Sequence, residues 1–133
     1  HVNREHHMNL TLPWPPSANR YWRSDRGRVH VSAEARDYKD LVLWTALNSG
    51  VLRPLYEPVS VTLAFYRPRR VGDLDNRVKV TLDAIQGIAI VNDKQIVELH
   101  AYLYEDKAKP RVELEIIAME SEVTLAEKLE ALA

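Results

Sequence analysis

The chain has 133 residues, of which 46% are hydrophobic and 28% are charged, and its formal net charge is −1. This length suits one domain with a single core, and the composition excludes wholesale disorder. The absence of cysteine excludes disulfides and thiolate zinc sites. No apolar run approaches the ~20 residues that span a bilayer, so we expect a cytoplasmic protein without a membrane partner.

The first seven residues have no hydrophobic pattern. We interpret residues 1–7 as an expression remnant or a disordered N-terminus, and residues 8–133 as one domain. Within that domain, Leu10–Leu12 predicts a short strand. The proline-rich segment Pro13–Pro16 ends the strand, because proline cannot donate a hydrogen bond to a sheet.

The next segment interleaves arginine with aromatic side chains, a composition typical of nucleic-acid contact. Asp25–Arg28 predicts a tight turn in which Gly27 supplies an unusual backbone angle. Trp14 and Trp22 fit core packing better than base stacking. We assign the arginines of this segment to DNA contact: Arg20, Arg23, Arg26 and Arg28.

Apolar periodicity predicts the next elements. Ser32 is a good N-cap for a helix over residues 33–48. The predicted apolar face of this helix consists of Tyr38, Leu41, Val42 and Thr45, widened by Leu43, Trp44 and Leu47. Val59–Tyr66 alternates as a strand with one core face, and a second helix is predicted from about Asn76 to Gln86.

The last third of the chain predicts two strands and a helix. The strands alternate over residues 97–103 and 112–116, and Lys107–Pro110 predicts a hairpin between them. An acidic helix is predicted over residues 121–132. The fold class is therefore α/β (mixed α+β), one small domain in which helices pack on a mixed sheet, in the order β-α-β-α-β-β plus a C-terminal helix.

Two carboxylates two residues apart, Asp73 and Asp75, lie between the strand at 59–66 and the helix at 76–86. If this stretch is extended, both side chains leave one face, and they offer the hard oxygen ligands that Mg²⁺ prefers. Lys79 lies one helical turn beyond Asp75, where it can stabilise charge on a phosphate. Asp93 adds a third carboxylate, and Asp83 is a weaker candidate.

Basic residues flank these acids, and we assign them to adjacent phosphates: Arg67, Arg69, Arg70 and Arg77. The alternative is structural, because Asp75 is an acceptable N-cap and Asn92-Asp93 is ordinary turn chemistry. The combined pattern of paired acids, lysine and arginines favours metal-dependent phosphodiester cleavage over a capped helix alone.

The motifs taken together resemble the RusA family of Holliday junction resolvases, over roughly residues 10–118 and in the same order. The residues that carry the resemblance are Leu12–Ser17 (Leu-Pro-Trp-Pro-Pro-Ser), Asn19–Tyr21, Gly27-Arg28, His30–Ser32, Asp73–Asn76, Lys79, Asp83-Ala84 and Asn92-Asp93. Asn92 stands where the family often has an aspartate.

The resemblance implies a homodimeric, Mg²⁺-dependent endonuclease that cuts four-way DNA junctions by paired symmetric incisions, with Mn²⁺ as a substitute ion. Carried over by position, Asp73, Asp75 and Asp93 are its catalytic metal ligands and Lys79 its catalytic lysine. It further implies a bacterial or prophage enzyme that acts at the nucleoid.

Three alternatives remain open at this point. One is a metal-dependent nuclease with another substrate, such as flapped DNA or RNA. Another is a junction-binding module whose acids are structural. The third is an assembly protein whose acidic C-terminal helix binds a partner.

Overall fold

The computed structural model describes residues 7–70, 74–119 and 130–132 of the chain. Its regular elements, in chain order, are β1 His7–Pro13, α1 Ala18–Tyr21, β2 Trp22–Asp25, β3 Arg28–Val31, α2 Ala33–Asn48, β4 Val59–Arg67, α3 Leu74–Ile85, β5 Ile96–Glu105 and β6 Arg111–Ala118. The predicted mixed α+β class is confirmed, as is the β-α-β-α-β-β part of the predicted order, with α1 and the β2–β3 pair as additions.

The central sheet has four strands in the order β1-β6-β4-β5. β6 is antiparallel to both β1 and β4, whereas β5 is parallel to β4, with Val59 opposite Ile96 and Arg67 opposite Glu105. The sheet is mixed for this reason. β5 forms one edge of the sheet in the described part of the chain.

The core lies between one face of this sheet and the helices α2 and α3. Val61, Leu63 and Phe65 of β4 are fully buried and face the same layer as Leu114 of β6. Each buried side chain of this size contributes about 1.5–3 kcal/mol to stability. The predicted alternation of β4 is thus confirmed, as is the packing of Trp14 and Trp22 against the core.

Helix α2 has the predicted bounds because its ends are capped. The Ser32 hydroxyl accepts a hydrogen bond from the Ala35 backbone N–H at 3.1 Å, and the helix ends before Ser49-Gly50. Tyr38 and Val42 face the core as predicted. Thr45 is half-buried. The prediction was wrong for four other side chains of this face, which are exposed to solvent: Leu41, Leu43, Trp44 and Leu47.

Strands β2 and β3 form a separate antiparallel hairpin. Arg26 and Gly27 both have positive φ, at 50° and 77°, which is the backbone of a tight hairpin turn. The predicted turn and the predicted role of Gly27 are therefore confirmed.

Two other predictions need correction or fall outside the described residues. Lys107–Pro110 does not join a hairpin, because β4 lies between β5 and β6. The predicted C-terminal helix, residues 121–132, lies outside the described residues apart from 130–132. Residues 1–6 also lie outside them, but His7, which we placed with that segment, is the first residue of β1 and pairs with Ile117.

Candidate active site and nucleic-acid interface

The first turn of α3 carries two of the predicted catalytic side chains. The helix begins at Leu74, two residues earlier than predicted, so Leu74 and Asp75 are helical rather than extended. Asp75 is favoured there because a carboxylate stabilises the positive end of the helix dipole. Asp75 and Lys79 are both exposed, and their i, i+4 spacing places them on one helix face. Asp73 lies outside the described residues.

Asp93 lies in a 3₁₀ turn, Asp93–Gln95, that immediately precedes β5. The Asn92 side chain accepts a hydrogen bond from the Lys94 N–H at 2.9 Å, and the Gln95 side chain accepts bonds from the Val91 and Asn92 backbone N–H groups at 2.8 Å. The Gln95 amide also donates to the Leu55 and Glu57 carbonyls. Asn92 is therefore a turn cap, and the turn holds Asp93 exposed near the start of β4.

The fold places Asp75 and Asp93 at opposite ends of the sheet. The N-terminal end of α3 lies beside Pro15, near the end of β4, since Arg77 donates to the Pro15 carbonyl. The segment after α3 lies at the beginning of β4, since the Leu55 N–H donates to the Ala89 carbonyl. Helix α3 alone is about 18 Å long. One ion with ligand bonds of about 2.1 Å cannot bind both carboxylates of the same chain.

Asp83 is engaged in a different network. Its carboxylate accepts a hydrogen bond from the buried Tyr21 hydroxyl at 2.5 Å, and the Lys39 ammonium lies 3.3 Å from the same oxygen. Burial, followed by the bond to Asp83, raises the pKa of Tyr21 well above its usual range. This network joins α1, α2 and α3. Sequence reasoning missed the roles of Tyr21 and Lys39, because neither lies near Asp83 in the chain.

The arginines of the β2–β3 hairpin have no ion pair among the described residues. Arg23, Arg26 and Arg28 are exposed along it, next to the turn at Gly27. Arg20, which precedes the hairpin, is exposed and lies 3.9 Å from Glu34. An exposed pair at this distance is weak, so Arg20 keeps most of its capacity to bind an anion.

The arginines that follow β4 have different surroundings. Arg67 and Arg70 both pair with Glu105, at 3.5 and 2.8 Å, and only Arg70 is well exposed. Arg69 is exposed and, with Arg20 and Arg77, lines a groove of about 540 Å³ beside Trp14–Ser17 and the N-terminal half of α2. Three of the eight predicted DNA-binding arginines therefore share one groove. Glu105 was not predicted as their partner, because only the β4–β5 register brings it to Arg67.

Comparisons with known proteins show the family of the chain. The family profile described as Endodeoxyribonuclease RusA matches residues 13–117. The chain belongs to the RusA family. Similar proteins named crossover junction endodeoxyribonuclease RusA come from Escherichia coli strain K12, at 39% identity, and Shigella sonnei, at 38%. A protein of the same name from Enterobacteria phage 82 is 38% identical. Each alignment covers 86% of this chain and 97% of the relative.

The predicted family resemblance is thus confirmed, and with it an endodeoxyribonuclease family that in general implies a divalent metal ion. Within the described residues, no helix is long and apolar enough to cross a bilayer. No cluster of three or more potential metal-ligating side chains occurs among residues 7–70, 74–119 and 130–132. Asp73 is not among these residues, and they belong to a single copy of the chain.

Proposed function

We propose that this protein is a Mg²⁺-dependent endodeoxyribonuclease that resolves four-way DNA junctions by paired symmetric incisions. The observation that carries the proposal is RusA family membership, combined with the exposed Asp75–Lys79 pair near the start of α3. In this proposal Asp73, Asp75 and Asp93 are the metal-binding catalytic acids. The setting is the cytoplasm of a bacterium, at the nucleoid.

The exposed carboxylates suit a hard divalent ion. Asp75 and Asp93 are exposed, and neither side chain forms a hydrogen bond or ion pair with another described residue. Carboxylate oxygens and water are the ligands that Mg²⁺ and Mn²⁺ prefer. When bound, the ion supplies an activated water and polarises the scissile phosphate.

The chain's basic side chains have separate roles in the proposal. The Lys79 ammonium, on the same face as Asp75, stabilises charge that develops on the phosphate. Arg20 and Arg69 hold a phosphate backbone along the groove, whose third arginine, Arg77, donates to the Pro15 carbonyl. The hairpin arginines Arg23, Arg26 and Arg28 contact a junction arm, and Arg67 and Arg70 contribute positive potential near Glu105.

We further propose a homodimer in which each metal site is shared between two copies. Asp75 and Asp93 lie at opposite ends of the sheet, so a site that uses both requires Asp93 from a partner. Antiparallel pairing of β5 with β5 of a second copy brings the start of one β5, next to Asp93, to the end of the other. That end lies beside Arg67, after which the chain continues to Asp73 and Asp75.

The edge of β5 supports this pairing. The strand has ten residues, contains no lysine, proline or glycine, and pairs only with β4 among the described strands. Large apolar side chains are exposed along it: Val97, Leu99, Tyr102 and Tyr104. Monomeric proteins usually protect such an edge with charge, proline or a bulge. On β5 these devices are confined to Glu98, Glu105 and a register irregularity opposite Val59 and Ser60, at its start. A two-fold axis perpendicular to the sheet extends it to eight strands and places a second β5 beside these side chains.

The nuclease proposal is tested with labelled DNA. Wild type and Asp75→Asn are incubated with a four-way junction, a flap and a linear duplex, each with Mg²⁺, Mn²⁺ or EDTA. We expect paired nicks in the junction only, dependent on the metal, and loss of cleavage with retained binding in Asp75→Asn. Preferred cleavage of the flap indicates a different nuclease. Binding without a metal-dependent product indicates a junction-binding module.

Shared sites are tested by mixing two inactive variants. In a shared arrangement, a heterodimer of Asp75→Asn and Asp93→Asn contains one site with both mutations and one wild-type site. We expect the mixture to nick one strand, although each variant alone is inactive. The matched control is a mixture of Asp75→Asn with Lys79→Ala, which leaves both sites defective and stays inactive. If the first mixture is equally inactive although heterodimers form, the shared site is wrong.

The β5 interface is tested by light scattering at micromolar concentration. Leu99→Lys places a charge on the proposed interface, and we expect a monomer. Thr11→Lys makes the same charge change on β1, at the opposite edge of the sheet, and we expect the wild-type dimer. A dimeric Leu99→Lys protein contradicts pairing through β5.

A further inference from the structure

Arg77 lies on the opposite side of α3 from the candidate catalytic side chains. At 100° per residue, Arg77 lies about 200° around the helix from Asp75, whereas Lys79 lies about 40° from it. The Arg77 guanidinium donates a hydrogen bond to the Pro15 carbonyl at 2.8 Å, and its central carbon lies 5.1 Å from the centre of the Trp14 ring. Arg77 therefore connects the first turn of α3 to the segment that follows β1.

This connection extends into the core. The Trp14 ring packs edge-to-face on Phe65, with ring centres 6.2 Å apart, and Phe65 is fully buried. Pro15 is buried as well. The Arg77 carbonyl also accepts a hydrogen bond from the Thr81 hydroxyl at 2.8 Å. The first turn of α3 is thereby fixed to Phe65 of β4 through the side chains of Arg77 and Trp14.

The first turn of a helix is otherwise its least restrained part. Its N–H groups have no partner within the helix, and helix ends open more readily than helix centres. Asp75 belongs to this turn, and Lys79 belongs to the next one. The orientation of both depends on whether the turn stays closed.

We propose that Arg77 is a positioning residue that holds the first turn of α3 in place and so fixes the direction of Asp75 and Lys79. The catalytic consequence rests on the proposed nuclease function, whereas the structural consequence does not. The competing role for Arg77 is direct contact with a DNA phosphate. The sequence predicted that role for both Arg77 and Arg69, and both residues line the same groove.

The test combines hydrogen exchange with DNA binding and single-turnover cleavage. In Arg77→Gln, we expect exchange of the Val78, Lys79 and Val80 amides to rise about tenfold, the order expected for losing one charge-assisted hydrogen bond. Exchange in α2 should not change. The cleavage rate constant at saturating junction should fall about tenfold, while the salt dependence of binding stays that of wild type. Arg77→Lys keeps a charged donor and should recover part of both effects.

Arg69→Ala is the matched control for a phosphate contact. Its expected phenotype is the reverse, with weaker binding, a salt slope reduced by about one and unchanged exchange in α3. If Arg77→Gln behaves like Arg69→Ala, or if exchange rises equally in α2 and α3, the positioning role is wrong. Should Arg77→Gln not fold, Arg77→Lys and Trp14→Phe provide the same comparison of α3 with α2. Absence of cleavage by wild type contradicts the nuclease function alone, and the exchange comparison still decides the role of Arg77.

Discussion

The hydrogen bond between Tyr21 and Asp83 predicts a specific effect of the Tyr21→Phe substitution. The Tyr21 side chain is fully buried, and its hydroxyl donates to the Asp83 carboxylate at 2.5 Å. Phenylalanine keeps the ring packing against Trp22, whose ring centre lies 4.7 Å away, and removes only the hydroxyl. The substitution therefore isolates the bond that connects α1 to α3.

The expected loss of stability follows from the surroundings of Asp83. A hydrogen bond to a charged group contributes about 1.5–3 kcal/mol. The Asp83 carboxylate retains Lys39 at 3.3 Å and is 31% exposed, so it is not left buried without a partner. We therefore expect the lower part of this range, about 1.5–2 kcal/mol, which lowers Tm by about 5–10 °C for a domain of this size.

The same substitution changes the pH dependence of stability. The pKa of Tyr21 is raised in the folded state by burial and by the bond to Asp83. Above its unfolded pKa of about 10, the unfolded chain loses a proton that the folded chain keeps, so unfolding free energy falls by about 1.4 kcal/mol per pH unit. Tyr38, whose pKa is raised by burial, contributes a second such slope.

Urea denaturation between pH 8 and pH 11 measures both effects. Tyr21→Phe should be less stable than wild type at pH 8, with an unchanged m-value, and should lose stability less steeply above pH 10. The two curves should therefore converge as pH rises. Parallel curves would show that Tyr21 titrates alike in both states, which contradicts a raised pKa of Tyr21 in the folded state.

Three further substitutions have expected outcomes. Phe65→Ala should cost about 3–5 kcal/mol in urea denaturation, because the side chain is fully buried beneath Trp14, and a cost below 1 kcal/mol would contradict that burial. Ser32→Ala should cost about 1–2 kcal/mol, because the buried hydroxyl caps α2 and also donates to the Arg20 carbonyl, and Ser32→Asp, which cannot donate that bond, should not recover the loss. Asp83→Asn should lower Tm but retain metal-dependent junction cleavage below that Tm, and lost cleavage in the folded variant would make Asp83 a candidate ligand.

Local patterns in the sequence predicted which residues form each helix or strand better than they predicted which strands pair. Ser32 and the helical spacing gave the bounds of α2, and alternation gave β4, because both depend on neighbouring residues. The predicted β5–β6 hairpin was wrong since strand order depends on burial. β6 buries Val112, Leu114 and Ile116 and takes an inner position, whereas β5, with mostly exposed side chains, lies at the edge.

Local patterns likewise predicted only part of the candidate site. The spacing of Asp75 and Lys79 was sufficient to predict a shared helix face, since one turn of α3 separates them. The position of Asp93 was not predictable, because it depends on β5 being parallel to β4. A parallel strand returns the chain to the end where β4 begins, and Asp93 is at that end.

The separation of Asp75 from Asp93 suits paired incision by a dimer. In the proposed dimer, each end of the β5 pair combines Asp93 of one copy with Asp73 and Asp75 of the other, so the two sites form together or not at all. Ten residues of β5 span about 33 Å, which sets the order of the distance between the sites. A two-fold axis between them presents two equivalent sites to a junction that has the same symmetry. A monomer would hold no complete site. It would therefore make no single incision in duplex DNA.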